Sequence, residues 1–265
     1  MIALHGFPDD AGAWDDVGKG LAAKGYRVLA PNFRGFGDTV FKQKDTPRSG
    51  QLAVLVTDTI AFADALEIET FSMIGHDWGS RAAQGVAALY PERVTQLVTF
   101  SGYSLSYAVG DPPPVSFIPR LWYQFALNMP MGEGIVQTNP ADFSYTLWRE
   151  WSPAWNITDL DIAFSKALVG LENPDFPAVA LSGYSYTGVG HDPALLTVEN
   201  QLAAAPKIAV PAVVIEGEQD GLEIAGRTKE LDQVMFTGGV EHISIPNVGH
   251  WPHREAPSVI IQLFQ

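Results

Sequence analysis

The sequence predicts an α/β protein with a mostly parallel central sheet covered by helices on both faces. Three observations carry this. Short apolar runs rich in β-branched residues recur along the chain, helical patterns separate them, and one long stretch interrupts the alternation. The run Met1-Ile2-Ala3-Leu4 opens the chain as the end of a buried strand. A helix over 13–24, a strand over 26–30 and a helix over 51–66 follow, then a strand over 70–74, a helix over 80–89 and a strand over 95–100. After the interruption come strands over 212–216 and 242–245, with helices over 223–235 and 257–264. Periodicity alone does not separate such short runs from helix fragments. Their length and β-branched content favour strands, and strand alternating with helix favours parallel pairing. The interruption, over 103–205, is rich in aromatics, prolines and polar turns ("DPPPVSFIPR", "LWYQFALNMP", "TLWREWSPAWN", "SGYSYTG") and reads as a mostly helical insertion. The domain expectation is therefore a core over 1–102 and 206–265 with the insertion over 103–205.

The 265 residues are 46% hydrophobic and 17% charged, which suits a globular protein with a sizeable core. The formal net charge of -14, with no Lys/Arg block to offset it, excludes nucleic acid and anionic membranes as natural partners. With no cysteine there is no disulfide framework, thiolate metal site or thiol nucleophile, and the expectation is a cytoplasmic protein. No apolar run is long enough to span a bilayer, and no signal peptide is expected.

Reaction sites in open parallel sheets gather at the carboxyl ends of strands. Four stretches stand there: "LHGFPDD" (4–10), "GHDWGS" (75–80), "GEQDGL" (217–222) and "NVGHWPHREAP" (247–257). The second has the form of a tight strand-to-helix turn. Gly75 and Gly79 allow close approach of strand and helix around Asp77. Alone, such an aspartate could be a helix N-cap. With the other stretches it gives the order Asp77, Asp220, His250, which is the nucleophile–acid–histidine order of hydrolase triads. Glu216 and Glu218 compete with Asp220 for the acid; Asp220 sits in the turn Gln219-Asp220-Gly221.

These motifs resemble the α/β-hydrolase fold, and specifically the epoxide hydrolases. His5-Gly6-Phe7-Pro8 is similar to that family's H-G-x-P oxyanion motif, and "APNFRGFGDT" (30–39) to its R-G-x-G loop. Gly75-His76-Asp77-Trp78-Gly79 is similar to its nucleophile elbow, and "GHWPHREAP" to its histidine loop. The resemblance spans essentially the whole chain. It implies a central sheet with a helical lid between two strands, and an N-terminal hairpin followed by a third strand, of which only that last strand is expected here. It also implies Asp77 as nucleophile, His250 as base, Asp220 as its partner, and backbone N–H groups of Phe7 and Trp78 as the oxyanion hole. His5, Gly6, Pro8, Gly75 and Gly79 are the supporting motif residues. The lid tyrosines map to Tyr123 and Tyr184, with Tyr186 as the alternative to Tyr184.

An aspartate can attack a saturated carbon and form an alkyl ester, where a serine would attack an acyl carbon. Water would then attack the Asp77 carbonyl carbon, activated by a neutral His250 near pH 7. Epoxide opening makes an alkoxide that needs a proton, which a neutral phenol can donate. The expectation is a cofactor-free, metal-free enzyme acting on a small apolar or aromatic epoxide with water; a homodimer stays open. The aromatic preference leans on Trp122, Trp148, Trp151 and Trp155. His76, His191, His242 and His253 are expected to be structural. Two rivals remain. Haloalkane and haloacid dehalogenases share the fold and the Asp elbow, with Trp78 as a halide donor, although Phe7 offers none. A non-catalytic binder of the same fold would not need all three triad residues.

Overall fold

The computed structural model describes residues 1–101, 105, 114–224 and 226–264. Five parallel strands, β1 (Ile2–Leu4), β2 (Phe71–His76), β3 (Val94–Phe100), β4 (Ala212–Gly217) and β5 (Val240–Ile245), lie side by side in chain order. Successive side chains alternate between the two faces, as a pleated strand requires. Ala3, Ile74, Val98 and Ile215 face a layer containing Trp14, Val17, Leu21 and Ile260. Ile2, Leu4, Met73 and Leu97 face the other way, toward Val56, Ala82, Ala83 and Val86.

The helices before the insertion are α1 (Asp15–Ala23), α2 (Leu52–Ala65) and α3 (Trp78–Leu89). Between β3 and β4 run α4 (Trp122–Leu127), α5 (Gly132–Thr138), α6 (Pro140–Trp151), α7 (Ile157–Leu171), α8 (Phe176–Gly183) and α9 (Leu196–Ala203). After β4 come α10 (Lys229–Met235), α11 (Pro252–Glu255) and α12 (Pro257–Leu263). Proline opens α6, where its missing N–H costs nothing, and Phe143, Leu147, Trp148 and Trp151 form its buried stripe. Asn156 caps α7 by accepting the N–H groups of Thr158 and Asp159. The boundary expected between 102 and 103, and the start of the proline run at 112–113, lie outside the described residues. Among the described residues, no helix is long and apolar enough to cross a membrane.

Two expected elements differ. The strand over 26–30 is reduced to a bridge, Leu29 to Ile2, with Ala3 N–H donating to Leu29 O and Leu29 N–H to Met1 O. It lies beyond β1, whose three residues offer too short a ladder to extend it. The helix over 223–235 begins only at Lys229. Gly226 adopts φ +75°, outside the helical region, and its N–H donates to Glu216 Oε2 at 2.8 Å instead of to a helical carbonyl.

Candidate active site

Asp77 stands alone between β2 and α3 with φ 51° and ψ -112°. A non-glycine residue held there costs on the order of 1–3 kcal/mol. The flanking glycines make the bend possible. A Cβ on Gly75 would run into the Gly79 backbone and come within 2.8 Å of Ser80 N; one on Gly79 would strike the carbonyls of Leu4 and His5. The strand-end loop after β1 therefore touches the elbow directly. Its Phe7 N–H donates to Asp77 Oδ1 at 2.8 Å. The Phe7–Pro8 peptide is cis. His5 fixes this loop by accepting the Phe33 N–H at Nε2 (3.0 Å) and bonding Gly6 O through Nδ1 (2.9 Å). Burial drives its pKa down to about 4, so the ring is neutral. Trp78 occupies the first position of α3, where a helix leaves backbone N–H groups without internal partners.

The other Asp77 oxygen, Oδ2, lies 3.7 Å from His250 Nε2, and neither atom has a hydrogen-bond partner among the described residues. His250 Nδ1 is 2.8 Å from Asp220 Oδ2. Asp220 Oδ1 accepts the N–H groups of Leu222 (2.8 Å) and Glu223 (2.9 Å), so the carboxylate is locked by its own turn. That bond fixes a proton on Nδ1 and turns Nε2 toward Asp77. The competing acids point elsewhere. Glu216 Oε2 accepts the Gly226 N–H, and Glu218 is exposed.

Electrostatics refine the neutral-base expectation. Burial alone would lower the His250 pKa, but Asp220 and Asp77 outweigh it and raise it to about 10. Burial would raise Asp77; the facing His250 ring, with His76 and the Phe7 N–H, holds it below the usual carboxylate range. The resting pair is thus an imidazolium between two carboxylates. His76, driven to about 3 mainly by burial, stays neutral and bonds His250 O at 2.8 Å.

The insertion closes the site with aromatic rings. Tyr184, at the end of α8, is buried against Phe7 (ring centroids 5.0 Å) and Trp78 (5.3 Å), and accepts the Trp78 indole N–H at 3.0 Å. Tyr123 on α4 meets the Tyr184 ring at 5.2 Å and 90°, and its hydroxyl accepts from Gln124 Nε2 at 3.0 Å. Burial, then the Tyr123 and Asp77 charges, push the Tyr184 pKa well above 10, which keeps the phenol protonated. Tyr186 is 59% exposed and bonds Gln124 Oε1 instead.

A profile of the family described as alpha/beta hydrolase fold matches residues 1–257. The chain is 26% identical over 291 residues to an epoxide hydrolase of Caballeronia sordidicola, covering 98% of this chain and 84% of that one. It is 26% identical over 284 residues to epoxide hydrolase A of Mycobacterium tuberculosis, covering 98% and 87%. The crystal structure of a proposed epoxide hydrolase from Klebsiella pneumoniae superposes with a TM-score of 0.89 at 37% identity, covering 98% of this chain and 87% of that one. The chain belongs to the epoxide hydrolase family.

This epoxide hydrolase family member has the α/β-hydrolase fold and is a hydrolase. Of the four insertion tryptophans, Trp151 packs on the candidate base, with its ring 4.9 Å from His250 and 5.1 Å from Tyr123. Trp148 donates to Pro8 O and packs on Trp251, Trp155 stacks on Trp148, and Trp122 donates to Glu150 and meets the Tyr123 ring edge-on. Packing explains those three, so they carry no argument about substrate. The family sequence pattern also concealed a buried clamp between two of its motifs. Arg254 donates to both Asp9 oxygens, at 2.8 Å from Nε and 2.6 Å from Nη2. Only "PDD" and "HRE" hint at it. Arg254→Met strands the Asp9 carboxylate in the interior and is expected to lower unfolding free energy by about 3–5 kcal/mol. Urea titration checks this; an unchanged midpoint contradicts it.

Proposed function

We propose that the protein converts a small epoxide to a vicinal diol through an alkyl ester on Asp77. The observation that carries this reading is the pair of lid phenols, Tyr123 and Tyr184, in contact with each other beside the residues that flank Asp77. Ring opening needs an acid for the alkoxide, and a neutral buried phenol is one.

In the first half-reaction an Asp77 oxygen bonds the epoxide carbon and the ring C–O bond breaks. Its electron pair goes to the oxygen, which takes a phenol proton. Esterification removes the Asp77 charge, and with it part of what raises the His250 pKa. The imidazolium then returns a proton to the phenolate and becomes the neutral base. In the second half-reaction His250 Nε2 takes a proton from water as the water oxygen bonds Asp77 Cγ. The Phe7 N–H, already on Asp77 Oδ1, supports the reading that this oxygen bears the transient negative charge. Collapse breaks the bond from Cγ to the alkoxide oxygen, which takes the His250 proton. The second water proton, left on the new carboxyl group, passes to His250, restoring carboxylate and imidazolium. Asp220 balances the imidazolium throughout.

A carbon–halogen bond would need no acid, and would want the Trp78 indole N–H free for the halide. That N–H is taken by Tyr184. A single turnover of styrene oxide in heavy-oxygen water tests the proposal. The label is expected in Asp77 and absent from the first diol released. Label in that first diol would rule out the ester.

A further inference from the structure

Three consecutive N–H groups of the His250 loop are held by one carboxylate and one hydroxyl. Glu255, on α11, accepts the Gly249 N–H at Oε2 (2.9 Å) and the Trp251 N–H at Oε1 (3.1 Å). The N–H between them, of His250 itself, donates to Ser152 Oγ at 2.8 Å. Ser152 Oγ donates in turn to Glu255 Oε1 at 2.7 Å. Ser152 is the residue that ends lid helix α6. Beside it the Trp151 carbonyl accepts the Gly221 N–H at 2.9 Å and the His250 N–H at 3.2 Å. One helix end in the insertion thus touches both the loop of the acid and the loop of the base. The fit is close: a Cβ on Gly249 would lie 2.6 Å from Ser152 Cα.

We propose that Ser152 and Glu255 are positioning residues for His250, a clasp through which the end of α6 aims the imidazole at the Asp77 ester. This rests on the function proposed above. The physical need is directional. Nε2 must line up with a water and Asp77 Cγ, and a small tilt of the ring loses that line. The ring is set by Asp220 and by its own backbone, and the backbone by these acceptors. Glu255 presents two acceptor oxygens to three donors. A glutamine has one acceptor, and its NH₂ would face either the Gly249 N–H or the pair from Trp251 and Ser152. Ser152→Ala removes the one group that both accepts from His250 and donates to Glu255. Neither residue touches the groups that open the ring, so the clasp acts on the second half-reaction alone.

Ser152→Ala and Glu255→Gln are therefore compared with the parent enzyme on styrene oxide. Rapid quench and intact-protein mass follow the alkyl adduct. Adduct formation is expected within about twofold of the parent, and adduct decay at least about tenfold slower. Equal slowing of both steps, or slowing of neither, overturns the clasp. His250→Gln is the reference, in which the adduct should persist; no adduct even there counts against the proposed function instead. A second reading needs no substrate. The His250 Nδ1 proton, bonded to Asp220, should exchange with water at least about tenfold faster in both variants, with an unchanged near-ultraviolet dichroism spectrum. An unchanged exchange rate overturns the clasp whatever the enzyme's substrate.

Discussion

Asparagine in place of Asp77 is expected to abolish turnover of styrene oxide, with kcat/KM down at least about 10⁴-fold, in line with loss of a nucleophile elsewhere. The replacement keeps the shape of the side chain and an oxygen for the Phe7 N–H, so the elbow should persist. It removes the negative charge that attacks carbon and that pairs with His250 across 3.7 Å. Two consequences should be read together. Diol formation, followed by chromatography, disappears, and the His250 imidazolium loses one of its supports, so its pKa falls. Histidine resonances recorded against pH check the second point. A variant that keeps activity within tenfold of the parent, or a His250 that titrates as before, would remove Asp77 from the centre of the mechanism.

The double replacement Tyr123→Phe/Tyr184→Phe should lower the rate of ring opening by about 10²–10⁴-fold, the usual worth of a general acid. Each single variant should lose less, because one of the two touching phenols remains. Tyr184→Phe carries a second cost: the Trp78 indole N–H loses its acceptor. Transient kinetics of adduct formation separates these effects from ester hydrolysis, which needs no phenol. If the double variant forms the adduct at the parent rate, the phenols are packing groups and the case for an epoxide over a halide weakens.

The parts of this arrangement that can be read from the chain are those encoded locally. Gly75 and Gly79 around Asp77 announce a bend that only small neighbours permit. The turn Gln219-Asp220-Gly221 favours Asp220 over Glu216 and Glu218, and the structure turns those two away from His250. Strand and helix patterns gave the parallel sheet and its helical layers. The segment 26–30 is a bridge rather than a strand, because an apolar run cannot announce how short its neighbour is. The helix expected over 223–235 starts only at Lys229, because Gly226 looks harmless in composition and becomes decisive only through its φ of +75°. Tyr184 and Tyr186 are two residues apart, so the sequence prefers Tyr184 but keeps Tyr186 as the alternative; Tyr184 is buried against Trp78 and Tyr186 is exposed. The Ser152–Glu255 and Asp9–Arg254 contacts join distant segments and leave no periodic trace.

The Asp9–Arg254 clamp joins positions separated by 245 residues. Contacts that far apart along the chain raise the contact order and are made late, after the entropy of closing the long loop has been met. During synthesis the carboxylate at 77 emerges long before the imidazole at 250. A nascent chain that has not yet reached position 250 therefore lacks the group that would release an ester. Maturation of this catalyst should track the docking of the segment that carries positions 250–254 rather than formation of its sheet.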